Sequence, residues 1–220
     1  MKFISSIVLV FLLHAGFASG HIPNAGFEDW TSQGFPAYLD PAEWNTLNDQ
    51  TGILNIYTVT RAEGADAFAG NYAMRMETDH IPSPFDRVTP AITTTGKIDT
   101  DEETIEGGFP LTEKPDTLSG WFRYYPADGD NCDITITLTR WNESIGETEQ
   151  IGEGTFTFSD KVDTYRQFVI AIEYSKQAIP DTALIIISAS NPLDPKPGSV
   201  LYLDDLEMTM SENAINSAPR

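Results

Sequence analysis

The chain has 220 residues, 33 of them acidic against 13 basic, with a net charge of −20 and a single cysteine. That charge repels phosphate backbones and anionic lipid surfaces, which excludes nucleic-acid binding and membrane adsorption. Cys132 has no partner for an internal disulfide, His14, His21 and His80 are too scattered for a zinc enzyme, and 40% hydrophobic content is too high for a disordered acidic polymer.

In chain order, Met1-Lys2 supplies a short positive start. Phe3–Leu13 is an apolar run broken only by Ser5 and Ser6, and Ala15–Gly20 is rich in small residues. This pattern predicts a secretory signal peptide over residues 1–20, cleaved near Ala18 or Gly20 and too short for a membrane span. Residues 21–210 are then expected to form one domain outside the cytoplasm, secreted or periplasmic, followed by a flexible polar tail over 211–220. Val, Ile, Thr, Tyr and Phe cluster in short runs punctuated by Gly, Pro, Asn and Asp, which predicts strands. They cover Ile53–Arg61, Tyr72–Thr78, Asp116–Tyr125, Asp133–Trp141, Gly154–Phe158, Arg166–Tyr174, Ala183–Ala189 and Val200–Met210. Ile81–Lys114 reads as loop, and Ser175–Ile179 as a single helical turn before Pro180. No sustained helical period appears, so the fold class is all-β, an antiparallel sandwich of the jelly-roll type.

Alternation assigns faces. Ile134, Ile136 and Leu138 share one side of their strand, with Thr135, Thr137, Thr139 and Trp141 on the other. Phe168, Ile170 and Ile172 likewise point one way. Ala183–Ile187 is apolar on both sides and predicts a central strand. Asp128-Gly129, between two strong strands, is a hairpin signal. Leu201 and Leu203 lie in one phase but Leu206 and Met208 in the other, so a bulge or twist at Asp204-Asp205 is needed for all four to reach the core.

Several motifs together resemble a known family. The segment Ile22-Pro23-Asn24-Ala25-Gly26-Phe27-Glu28-Asp29-Trp30, then Pro41-Ala42-Glu43-Trp44, opens the domain. Gly70-Asn71-Tyr72-Ala73-Met74-Arg75-Met76 lies in the middle, and Leu201-Tyr202-Leu203-Asp204-Asp205-Leu206-Glu207 closes it. These resemble β-jelly-roll carbohydrate-binding modules of the family 4, 9 and 22 type. With Leu118-Ser119-Gly120-Trp121-Phe122-Arg123-Tyr124-Tyr125-Pro126, the set is similar to the bacterial PCMD family of carbohydrate metabolism domains. The resemblance covers about Ile22 to Met208. It implies a structural calcium ion (Ca2+) held by Glu28 and by Asp204 or Asp205, with the Gly26 carbonyl nearby, a donor set of hard oxygens that suits this cation.

Sugars are held by flat aromatic faces and by planar polar side chains that read their hydroxyls. Trp121, Arg123 and Tyr125 share one side of a strand. If that strand pairs with Asp133–Trp141 through the Ala127–Asn131 turn, Thr137 and Trp141 join them in one carbohydrate-binding patch. The opposite phase, with Phe122 and Tyr124 exposed and Trp121 in the core, has the same periodicity. Trp30 and Trp44 are expected to cover an end of the sandwich. No catalytic residue is marked: Asp101-Glu102-Glu103 reads as solvated loop, Asp128–Asp133 as a hairpin rather than a calcium loop, Cys132 as a buried apolar group and His80 as a loop residue without a partner in sequence. The leading reading is non-catalytic binding of a polysaccharide or glycan. Two others stay open, a glycoside hydrolase or lyase with a carboxylate pair, and a structural or adhesive module that binds protein.

Overall fold

The strands form where alternation allows one side to be buried. In the computed structural model, which describes residues 21–210, twelve of them build two packed sheets. The signal peptide and the C-terminal tail expected from the sequence lie outside the described residues. In chain order the strands are β1 (Asn45–Thr46), β2 (Val59–Glu63), β3 (Tyr72–Glu77), β4 (Ile92–Thr94), β5 (Phe109–Pro110), β6 (Pro115–Tyr125), β7 (Cys132–Asn142), β8 (Glu147–Phe158), β9 (Val162–Ala171), β10 (Glu173–Tyr174), β11 (Thr182–Ser188) and β12 (Val200–Met210). One sheet runs β10-β8-β7-β11-β4-β1, with β5 also paired to β11; the other runs β9-β6-β12-β3-β2. All pairings are antiparallel, and the architecture is the expected sandwich.

The inner faces meet as the alternation requires. Ile134, Ile136, Leu138, Ile185 and Ile187 from one sheet face Leu118, Phe122, Phe168, Met74, Leu201 and Leu203 from the other, all essentially inaccessible to solvent. Each large side chain so buried contributes about 1.5–3 kcal/mol of transfer free energy. β11 is central, as its doubly apolar sequence predicts. The predicted bulge in β12 is present: the register against β6 shifts between Ser119 and Trp121, and Asp205 sits at φ 51. Leu201, Leu203 and Leu206 are therefore all buried, and Met208 packs on the core. The Leu206 N–H donates to the Ala25 carbonyl at 2.9 Å, which brings the N-terminal segment beside the last strand.

Four local expectations change. Ile53–Arg61 is not one strand: a helical turn (Asn48–Thr51) and a 3-10 turn (Gly52–Leu54) precede β2. The buried Asn48 amide holds both the N–H and the carbonyl of Val59, so side-chain bonds fold this segment back before the strand begins. Ser175–Ile179 is a set of bends without helix, because the Ser175 N–H is tied to the Ile151 carbonyl at 3.0 Å. Ile81–Lys114 contains β4, β5 and short hairpin pieces too brief to show a period. β8 begins at Glu147 rather than Gly154, its polar first half being held by backbone pairing to β7.

The largest difference lies at residues 126–131. The turn itself is as expected, with Asp128 and Gly129 both at positive φ and the Asp130 N–H on the Ala127 carbonyl at 2.9 Å. Its two flanking strands do not pair. β6 lies between β9 and β12, and β7 lies between β8 and β11 in the opposite sheet. The turn is an arch across the core, and six residues suffice to span the roughly 10 Å between packed sheets. Asp130 locks it. Its buried carboxylate accepts the Ser199 hydroxyl at 2.6 Å, the Ser190 hydroxyl, and the N–H groups of Asn131 and Asn191 at 2.8 and 3.0 Å. Cys132 follows directly, buried as expected, and burial pushes its thiol up to about 12, so it stays protonated.

Asp130→Ala would orphan two serine hydroxyls and two N–H groups. The expected cost is about 3 kcal/mol, or about 6–12 °C in Tm for a domain of this size. A shift below about 2 °C in a thermal melt would show that the arch does not depend on this carboxylate.

Candidate functional site

Of the two phases that the sequence leaves open for β6, the structure takes the one with the aromatic-arginine side outward. Phe122 and Tyr124 are buried, and Trp121, Arg123 and Tyr125 point outward, half-buried. Because β7 belongs to the other sheet, Thr137 and Trp141 lie on the opposite side of the protein. The single five-residue patch predicted from a β6–β7 hairpin is thus split in two, since an arch turns the outward sides of its two strands away from each other.

On the β6 side the outward groups are already engaged. Residues 64–70 cross this surface and lay the Phe68 ring on Trp121, with centroids 4.2 Å apart and planes within 14°. Arg123 stands between the rings of Tyr165 and Tyr202, at 4.8 and 4.2 Å, and pairs with Asp66 at 2.7 Å. Tyr125 meets Tyr202 edge-on.

Two of the acids that the resemblance assigns to calcium, Asp204 and Glu28, hold this crossing segment and the two residues that follow it. Glu28 Oε1 accepts the N–H groups of Asn71 and Tyr72 at 2.8 and 3.0 Å, and its Oε2 accepts the Asn71 amide at 3.2 Å. Asp204 Oδ2 accepts the N–H groups of Phe68 and Ala69 at 2.9 and 3.0 Å, and Oδ1 that of Asp205 at 2.8 Å. Asp205 itself is exposed at the bulge, and Gly26 sits in the Asn24–Phe27 turn. N–H donors direct positive hydrogen where a cation would have to sit. Among the described residues no three acidic, histidine or cysteine side chains gather around a point. As placed, these groups do not fit a calcium cradle; they clasp backbone amides. The bond from the Tyr72 N–H is the largest influence lowering the Glu28 carboxyl below its ordinary 4.5, whereas burial raises that of Asp204 against its three N–H bonds. Gly70 makes the Glu28 clasp feasible: its φ is +62, and a Cβ there would stand 2.1 Å from Glu28 Oε1.

On the other sheet, Trp141 is 51% exposed. It stands at a groove of about 730 Å³ lined also by Arg140, Asn142, Glu143, Lys176, Ile179 and Asp181. The β7–β8 turn shapes one wall. Gly146 at φ +69 lets its N–H reach the Asn142 carbonyl at 2.9 Å, and the Ser144 N–H caps the Asn142 side chain at 3.0 Å. The Trp141 N–H donates to Asp181 Oδ2 at 2.7 Å, which joins the strand end to the segment before β11. Lys176 bonds Glu149 at 2.6 Å, and that bond is the main reason the exposed Glu149 carboxyl lies below its usual range. Arg140 is exposed and makes no side-chain hydrogen bond or ion pair among the described residues. Thr137 lies mid-strand, away from the groove lining. The sequence signal for this site was the tract Arg140-Trp141-Asn142-Glu143, an aromatic flanked by planar polar groups at a turn; Lys176 and Asp181 arrive only through the fold.

A second groove, about 410 Å³, includes Tyr38, Asp40, Glu43 and Asp49. Burial raises the Asp40 carboxyl, but its Oδ1 accepts the Thr46 hydroxyl at 3.0 Å and the Asn48 amide at 2.8 Å, which ties it to the local fold. Asp101-Glu102-Glu103 is exposed loop, as expected. His80, partnerless in sequence, meets Asp86 at 3.0 Å. Trp30 and Trp44 donate their indole N–H groups to the Phe27 and Pro23 carbonyls and pack on the core.

With this geometry in hand, comparison with known proteins shows the fold. A protein from Bacteroides vulgatus, provisionally described as a glycoside hydrolase, matches with TM-score 0.68 and 15% identity over 84% of this chain and 96% of its own. A second of the same description, from Bacteroides thetaiotaomicron, gives TM-score 0.66 and 15% identity over 84% and 70%. A carbohydrate-binding module solved with β-1,4-galactotriose aligns over 86% of this chain and 97% of its own, at TM-score 0.44 and 10% identity. No protein-family profile matches the chain, and no curated protein does.

Glu28→Gln removes a carboxylate whose folded value is depressed, so its stabilisation is present above the ordinary 4.5 and is lost as pH falls through the folded value. The Tm gap between wild type and Glu28→Gln is expected to be widest near neutral pH and to close in acid. A gap independent of pH would remove the clasp from the account. Chelator is expected to leave the wild-type Tm unmoved, and a fall of several degrees would instead show a cation shared by these carboxylates.

Proposed function

We propose that this protein binds a glycan without cleaving it, outside the cytoplasm, in the groove at Trp141. The observation that carries this reading is a half-exposed indole at the groove, beside an exposed arginine that makes no ion pair among the described residues. A pyranose presents an apolar CH face to such a ring, while Arg140, Asn142 and Lys176 reach its hydroxyls. Glu143, Glu149 and Asp181 also line the groove, so it selects against anionic polymers and suits a neutral polysaccharide. The β-sandwich fold shared with carbohydrate-binding modules agrees with this reading, and the leader-like sequence of residues 1–20 supports export.

The two Bacteroides structures bear a hydrolase description, and Asp40, with a raised carboxyl in the smaller groove, is the group that would favour such chemistry here. Its two hydrogen bonds to Thr46 and Asn48 give it a structural task instead.

The test is retardation on neutral polysaccharide gels, with an assay for new reducing ends. Wild type is expected to be retarded and to release none. Trp141→Ala is expected to bind at least about tenfold more weakly, a loss of about 1.4 kcal/mol, with its Tm little changed. Retention by Trp141→Ala equal to wild type would overturn the site, and accumulating reducing ends would overturn the non-catalytic reading.

A further inference from the structure

Residues 64–70 form a strap over the outer side of the five-stranded sheet. Both ends are glycines in the left-handed region, Gly64 at φ +63 and Gly70 at φ +62. Between them stand three alanines, Asp66 and Phe68. Only those last two carry large side chains, and each occupies a binding group of the sheet. Phe68 lies flat on Trp121 at 4.2 Å, and Asp66 pairs with Arg123 at 2.7 Å. The strap therefore presents a six-membered ring and a carboxylate, side by side, to an indole and a guanidinium.

Arg123 is held for this purpose between Tyr165 and Tyr202, with its side chain 13% exposed. Asp66 engages Nη2 alone, and Arg123 Nε is buried with no hydrogen-bond partner among the described residues. An orphaned donor at this depth is costly. A carboxylate approaching as a fork would take both nitrogens, the geometry guanidinium favours. Arg75 and Lys161 stand on the same side, 6.0 and 5.5 Å from the Tyr202 and Tyr125 rings, but each is paired with its own carboxylate, Glu77 and Asp163, so Arg123 is the cation that the strap covers. The strap is also fastened unevenly. Asp204 clasps its Phe68 and Ala69 N–H groups and Glu28 those of Asn71 and Tyr72 just beyond it, while its N-terminal half is held to the sheet by Asp66, through Arg123 and through the Tyr165 hydroxyl on the Asp66 carbonyl at 2.7 Å. Gly64 opens a single 3-10 turn whose carbonyl accepts the Ala67 N–H at 3.1 Å, and no other atom lies within 4 Å of where its Cβ would stand.

We propose that Phe68 and Asp66 are placeholders over a second binding site, and that its ligand class is acidic pyranosides, a hexuronate ring stacked on Trp121 with its carboxylate forked onto Arg123. The site opens when the Phe68 ring swings away and residues 64–67 lift, while the C-terminal clasp stays in place. A neutral sugar offers the ring without the carboxylate and does not displace Asp66.

The test is calorimetric titration with trigalacturonate and with a neutral galactose trimer, each variant first checked by thermal melting. Asp66→Asn and Phe68→Ala are each expected to bind trigalacturonate at least about tenfold more tightly than wild type. Arg123→Gln added to either is expected to abolish the gain, and Trp141→Ala to leave it unchanged, which separates this site from the groove. Asp66→Asn keeps the Phe68–Trp121 stack and so reports even if Phe68→Ala unfolds. No acidic-sugar binding by Asp66→Asn, or an equal gain for the neutral trimer, would overturn the proposal.

Discussion

The last strand must bury leucines from both of its phases, and the rest of the structure depends on how it does so. A regular β12 would send either Leu201 and Leu203 or Leu206 and Met208 into solvent. The bulge at Asp204-Asp205 resets the phase, and all four reach the core. The same irregularity leaves Asp204 buried with a carboxylate that must find donors. It finds them in the N–H groups of Phe68, Ala69 and Asp205. One packing constraint on the final strand thus also fixes the segment that crosses the outer side of its sheet, and the Leu206–Ala25 hydrogen bond brings the chain start to the same place.

The arch at residues 126–131 is the second deciding element. It sends two strongly apolar strands into opposite sheets, so that Phe122 and Tyr124 meet Ile134, Ile136 and Leu138 across the core. The outward residues of the two strands then diverge. Trp121 and Trp141, both plausible sugar-stacking groups from their spacing, end in different circumstances. Trp121 is covered by Phe68, and Trp141 stays open beside polar side chains.

The acidity of the chain also acquires a distribution. Glu28 and Asp204 hold backbone amides, Asp130 locks the arch, Asp40 orients the helical turn that precedes β2, and Asp66 neutralises Arg123. These acids act much as disulfides do in other domains, by tying distant parts of the chain together through the N–H and O–H donors they gather. On the side of Arg123 the cations are each matched by a carboxylate, Arg123 by Asp66, Arg75 by Glu77 and Lys161 by Asp163.

Much of the fold was legible from residue order alone. Alternation assigned the inward sides of β7 and β9, a doubly apolar run marked β11 as central, two-phase leucines required the β12 bulge, and Asp128-Gly129 marked a tight turn. These features are short-range: they depend on which side of one strand must be dry and on which residues tolerate positive φ. The candidate sites were legible only in part. Trp121 and Arg123 were identifiable as sharing a side, though not as facing outward, and Trp141 as lying opposite the apolar side of its strand; a turn sequence is the same for a hairpin and for an arch, so their grouping was not legible. Nor could spacing reveal that Phe68 would cover Trp121, or that Glu28 and Asp204 would face amides, because those contacts join residues tens of positions apart. Sequence determined which side chains share a side of each strand. The tertiary structure decided which of those sides face each other, because strand pairing across long separations is settled by mutual burial and not by any local pattern.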